Sequence, residues 1–333
     1  MEIEPYYWAG YQIASNEKKR AFRTANWIGG ALLAGQVLAV AVASLARQLL
    51  LFLGHLTKTG AMIHYIDNEM YYVVASIAMF VPMFALAAVF DHRRLSDVIP
   101  FEKHSKKLGF FLVLICLGFF LAGNVLTNIV FLTLSELGHP PFMPESFQPD
   151  TPFELVVVLL SSACIPALTE EFAFRGVILG LLKPYGNAIA VVISAVLFGL
   201  MHGNLIQMPF AFVGGLALGY ATVRTGSMWP AVIAHFLNNA ISCLMTYLLH
   251  VVPPHLSGIV SAVAYLLYFG LLVAAGVVGL VMVRRMNRKE GFSLSNGEDF
   301  YSTAGQRLIR ICCAPAILLF VLYCVYSSLQ YIV

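Results

Sequence analysis

Residues 163 to 176 read ACIPALTEEFAFRG. Apolar sequence runs for more than a dozen residues before the two glutamates and resumes directly after the arginine. A charge at the centre of a membrane helix costs about 2.5–3.5 kcal/mol on insertion scales. Glu170, Glu171 and Arg175 therefore need partners or a task. Glu171 and Arg175 stand at i and i+4, the favourable order for an ion pair on one helix face. Glu170 is rotated by about 100° from Glu171 and gains no such partner. The spacing gives one structural carboxylate and one free carboxylate.

The surrounding chain defines the solvent. Of its 333 residues, 59% are hydrophobic and 11% charged, with a mean hydropathy of +0.81. Soluble domains carry about 25% charged residues. Apolar runs of about 20 residues recur, each long enough to cross a bilayer as a helix. They are continuous rather than alternating, which excludes a β-barrel pattern. The sequence predicts an all-α, polytopic transmembrane helix bundle. Nine helices are expected, at 27–48, 70–90, 108–134, 153–183, 187–203, 206–224, 228–250, 258–283 and 312–332.

Cytoplasmic loops concentrate Lys and Arg. With the N-terminus inside, 18 of the 20 basic residues fall on the cytoplasmic side, leaving only Arg47 and Lys58 outside. The expected topology is N-inside and C-outside, in a multi-pass protein of the cell membrane. The organisation divides into a cytoplasmic segment 1–26, helices 1–3 over 27–151, a core of helices 4–7 over 152–250, and a C-terminal part over 251–333. That last part contains a polar cytoplasmic linker at 284–310. The first 26 residues lack the pattern of a cleaved signal peptide, so the first helix is expected to be retained. The net charge of +3 suits loops facing anionic lipid and gives no reason to invoke nucleic acid. The six cysteines lie in apolar spans and are expected to pack as small hydrophobes.

Ionisable groups are rare in the other apolar spans. Two histidines stand out, His202 in VLFGLMHGN and His235 in WPAVIAHFLNNA, with Asn239 one turn after His235. The short turn near residues 183–187 makes helices 4 and 5 antiparallel. Glu170 and His202 lie about 15 and 16 residues from it, hence level at about 23–25 Å. His235 and Asn239 share a face and fall in the same band of depth. Phe198 is one turn below His202 and can pack on its ring. Gly176, Gly180, Gly199 and Gly203 allow close helix approach. Singly, such a histidine or asparagine is often interhelical glue. Together, a carboxylate with a histidine can activate water, and a histidine with an asparagine can hold an oxyanion.

The set Glu170-Glu171-x-x-x-Arg175, Phe198-x-x-x-His202 and His235-x-x-x-Asn239 resembles the CPBP family. Its members are the type II CAAX prenyl proteases and the bacteriocin-processing or immunity proteins, also called Abi proteins. The resemblance covers about 100 residues, roughly 152 to 250. It implies an intramembrane, glutamate-dependent endopeptidase without a cofactor. In that picture Glu170 and His202 deprotonate a water, while His235 and Asn239 stabilise the oxyanion. Glu171, Arg175 and Phe198 support the site. The implied partner is a membrane-embedded or lipidated peptide. Three other functions share these residue types. One is a zinc peptidase with Glu170, His202 and His235 as ligands. The others are a non-catalytic immunity or binding protein and a transporter.

Overall fold

The computed structural model describes residues 3–57, 73–86, 95–141, 148–292, 294 and 300–330. Helix dominates them: α1 (Ile3–Thr57), α2 (Val73–Leu86), α3 (Lys106–Glu136), α4 (Pro152–Tyr185), α5 (Asn187–Met201), α6 (Gln207–Thr225), α7 (Trp229–Val251), α8 (Pro254–Glu290), α9 (Ala304–Cys312) and α10 (Pro315–Leu329). Between described residues the structure shows an isolated antiparallel bridge, Phe101 with Ser227. Among the described residues five helices are long and apolar enough to cross a membrane, six if the bent pair α9–α10 is one span. The protein is a multi-pass helix bundle.

All nine expected spans contain helix, and their edges differ for local reasons. The first helix starts at Ile3 rather than 27. Its polar stretch, NEKKRAFR, contains good helix formers and no breaker, so nothing stops the helix there. The expected helix 70–90 is described only over Val73–Leu86, its flanks lying outside the described residues. Helix α8 continues to Glu290, where Gly291 at φ 65° provides the left-handed cap. The linker holds a further helix, α9, started by a capping box of Thr303 and Gln306. A 62° bend then separates α9 from α10. Cys312 and Cys313 flank that bend and are exposed, contrary to their expected burial. Cys116, Cys243 and Cys324 are buried as expected.

Helix α4 begins with its own capping box. The Thr151 Oγ1 accepts the Glu154 N–H at 3.2 Å, and Glu154 in turn takes the Thr151 N–H. Two stretches of α4, Leu159–Cys164 and Phe172–Ile178, are wound as π-helix, and they bracket the glutamates. Such wide turns are rare and concentrate at functional sites. The 3₁₀ turn Lys183–Tyr185 and Gly186, at φ 119°, reverse the chain into α5.

Among the described residues two large apolar clusters fill the bundle, with a small third of Ile99, Met228 and Val232. One joins α1, α2, α4, α5 and α10 through Leu32, Phe80, Phe174, Phe198 and Phe320. The other joins α3, α6, α7 and α8 through Leu112, Phe120, Leu218, Ala234 and Leu272. The α3–α8 contact is backbone against backbone: a Cβ on Gly118 would stand 2.6 Å from the Gly276 Cα. On α4, a Cβ on Gly180 would meet the Val98 carbonyl oxygen at 2.0 Å, whereas one on Gly176 would make ordinary contacts. Gly176 is thus not a close-approach position.

The last helix belongs to the first cluster rather than standing apart. Asn26 Oδ1 accepts the Ala316 N–H, and Arg307 Nε donates to the Tyr185 carbonyl, whose hydroxyl pairs with Thr24 Oγ1 at 2.8 Å. The basic turns share one end of the bundle, as the Phe101–Ser227 bridge and the Arg224–Glu290 pair demonstrate. At the opposite end His250 Nε2 meets Asp150 Oδ1 at 2.5 Å, tying the close of α7 to the start of α4. The exposed apolar residues of α8, among them Ile259, Leu266 and Leu271, form a face suited to lipid.

Candidate active site

Helices α4 and α5 from one cluster meet α7 from the other along a seam, and the polar groups lie in it. Glu171 and Arg175 are both fully buried, with Arg175 Nη1 donating to Glu171 Oε1 at 3.0 Å. The ion pair read from the i, i+4 spacing is present. Arg175 Nη2 donates to the Gly215 carbonyl at 3.2 Å. Its guanidinium carbon lies 4.3 Å from the centre of the Phe198 ring. A buried charge pair of this kind is tolerable only with such additional partners.

His235 joins the same carboxylate, its Nδ1 standing 2.8 Å from Glu171 Oε1. A carboxylate can only accept, so Nδ1 carries the proton. The ring sits between Phe120 of α3 and Phe198 of α5, at 6.4 and 6.0 Å between centroids. Glu171 Oε2 and Arg175 Nε have no protein hydrogen-bond partner among the described residues.

His202 caps the C-terminal end of α5. Its Nδ1 lies 2.8 Å from the Phe198 carbonyl, so that nitrogen donates and a neutral ring presents the Nε2 lone pair. Its ring meets Phe198 edge-on at 5.0 Å. The next residue, Gly203, has φ 62°, and a Cβ there would stand 3.1 Å from the Ser327 hydroxyl of α10. A residue other than glycine would be strained at the position that turns the chain away from His202.

Phe198 is therefore the hub, touching Arg175, His202 and His235. Glu170 is half-buried and makes no hydrogen bond among the described residues, to His202 or any other group. It lies within electrostatic reach of Arg175. Asn239 stands one turn beyond His235. Its Nδ2 donates to the Ser162 carbonyl of α4 at 3.1 Å, and its Oδ1 accepts from Asn238 Nδ2 at 3.0 Å. Sequence reasoning missed Ser162, Asn238 and the Gly215 carbonyl. Pro166 was the available signal for Ser162, because a proline leaves the carbonyl four residues earlier without its helical donor.

Zinc would need three donors at about 2.0–2.2 Å from one point. Among the described residues no group of three His, Cys, Asp or Glu side chains has that arrangement.

Comparison with known proteins bears on the same segment. The family model for Rce1-like type II CAAX prenyl endopeptidases matches residues 152–241. That segment is similar to the family that the motif set resembles. It spans α4 to most of α7 and so contains every residue of the motif set. Among curated proteins, a Bacillus subtilis (strain 168) candidate membrane peptidase, YdiL, is 28% identical over 90 residues, 27% of this chain and 37% of its own length. An uncharacterized 24.3 kDa Escherichia coli protein is 28% identical over 114 residues, 32% of this chain and 52% of its own. The chain thus spans between about a third and a half of each relative. No solved structure matches it. Helices α1–α3 and α8–α10 pack around the matched segment without being part of the family match.

Proposed function

We propose that the protein is an intramembrane endopeptidase of the CAAX-protease type, acting on a membrane-embedded or lipidated peptide in the cell membrane. The observation that carries this is the convergence of α4, α5 and α7 on Phe198, which gathers two histidines and the guanidinium of a buried ion pair around one ring, with Glu170, adjacent in the chain to Glu171, making no hydrogen bond among the described residues. The family match over 152–241 supports the reaction class.

Glu170 and the His202 Nε2 lone pair hold a water. Its oxygen forms a bond to the scissile carbonyl carbon while its proton passes to Glu170. The carbonyl oxygen becomes an oxyanion facing Asn239 and His235. His235 commits Nδ1–H to Glu171, so it donates from Nε2 only as imidazolium, and Glu171 supplies the counter-charge. Collapse re-forms the carbonyl, the C–N bond breaks, and the leaving nitrogen takes the proton from Glu170. Preorganised donors in a water-poor site make the oxyanion step effective. The charge count orients the chain with the basic turns in the cytoplasm.

The test is a comparison of native-membrane proteomes between wild type and Glu170→Ala. One precursor should accumulate in the variant, with its cleaved fragments present only in wild type. Identical proteomes would leave the binding-protein function in place of the enzyme. The cleavage site found this way defines a synthetic reporter peptide for work on purified protein.

A further inference from the structure

Pro166 interrupts α4 immediately after the first π-helical stretch, at the start of the α segment Ile165–Glu171. In a regular α-helix the N–H of residue 166 would bond the carbonyl of Ser162; proline has no N–H to give. That carbonyl instead accepts Asn239 Nδ2 from α7 at 3.1 Å. The amide is held at both ends, because the buried Asn238 donates to its Oδ1 at 3.0 Å. This assigns which end of the Asn239 amide is nitrogen. One Nδ2 proton is committed to Ser162 and the second remains. Asn239 is half-buried while Asn238 is buried, so the remaining proton is at the more open of the two positions. Helical carbonyls point towards the C-terminus, so this contact lies near the Pro166 ring. Glu170 follows Pro166 by one turn on the same face.

We propose that Pro166 is a positioning residue for Asn239: by withholding a backbone N–H, it leaves the Ser162 carbonyl to fix the Asn239 amide with one donor aimed at the oxyanion. The catalytic half of this inference rests on the peptidase function proposed above. The coupling between Pro166 and Asn239 does not. Alanine is the better helix former at this position. Pro166→Ala should therefore fold at least as well as wild type; the wide register that carries the Ile165 N–H to the Leu160 carbonyl then closes to α at residue 166, returning an N–H to Ser162 and releasing Asn239.

The experiment is a double-mutant cycle on detergent-purified full chain, comparing wild type, Pro166→Ala, Asn239→Ala and the double variant. The cycle is repeated with Asn239→Leu, which keeps side-chain volume. Melting temperature is read first. Asn239→Ala should lower Tm in wild type and lower it much less in Pro166→Ala, where Ser162 has its backbone partner. Equal Tm losses in both backgrounds overturn the proposal. Turnover of the reporter peptide is read second. Pro166→Ala should lose about 10- to 100-fold in kcat, the scale of a small misplacement, with little change in KM. In the double variant it should add little to the loss from Asn239→Ala. An unchanged kcat in Pro166→Ala overturns the positioning role. A wild type that cleaves nothing while the Tm coupling persists refutes the peptidase function and, with it, the catalytic half alone.

Discussion

Glu170→Gln and His202→Ala each reduce turnover of the reporter peptide by about 100- to 10,000-fold, the range that general acid–base catalysis contributes. Both variants keep the wild-type melting temperature closely. Glu170 is half-buried and gives up no hydrogen bond among the described residues. His202 gives up one bond, to the Phe198 carbonyl, and one edge-on ring contact. Loss of activity with retained fold separates chemistry from structure. Asn239→Ala removes a single oxyanion donor, so it costs about 100- to 1,000-fold in kcat. Combining it with Glu170→Gln adds far less than the sum, because groups acting as a unit fail together. Zinc chemistry would behave differently: o-phenanthroline would abolish turnover, added zinc would restore it, and purified protein would hold about one metal per chain. That combination would refute the glutamate mechanism. Full turnover in Glu170→Gln would refute the enzyme itself.

What the sequence revealed followed distance along the chain. The Glu171–Arg175 pair and the edge-on His202–Phe198 contact were readable because each joins residues one helical turn apart. The bundle was readable because apolar runs of membrane length admit few other structures. The His235–Glu171 bond was not readable, since it depends on how α4 and α7 cross over 64 residues of separation. A shared helix face and depth paired His235 with Asn239 as two oxyanion donors; the structure adds that His235 is anchored on the Glu171 carboxylate. The π turns escaped because no residue pattern in the sequence marks them. Helix α9 escaped because its amphipathic face is short and sits in a polar linker. Its placement brings α10 against Gly203, next to His202. The last helix thus lines the turn that follows a site residue.

Glu171→Gln should lower the yield of folded protein far more than Glu170→Gln, although the two residues are neighbours and the change is the same. Glu171 and Arg175 have no solvent exposure. Removing one partner of a buried pair leaves the other charge uncompensated, at a cost of about 3–5 kcal/mol. That is a large share of a domain's total stability of about 5–15 kcal/mol. Arg175 would keep the Gly215 carbonyl and the Phe198 face, neither of which carries a charge. Glutamine could still accept from His235 Nδ1, so the residual folded fraction should retain an oriented His235. It would lack the counter-charge of the imidazolium form and so turn over slowly. Replacing both partners by apolar side chains of similar volume, as in Glu171→Leu with Arg175→Met, removes the uncompensated charge. Tm should then recover much of the loss, since such swaps are often neutral. Turnover should not recover, because nothing then holds His235. Fluorescence-detected size exclusion gives the folded yield, thermal melts in detergent give Tm, and the reporter peptide gives turnover. Equal folding of Glu170→Gln and Glu171→Gln, with activity lost only in Glu171→Gln, would exchange the two assignments and make Glu171 the carboxylate that works on water.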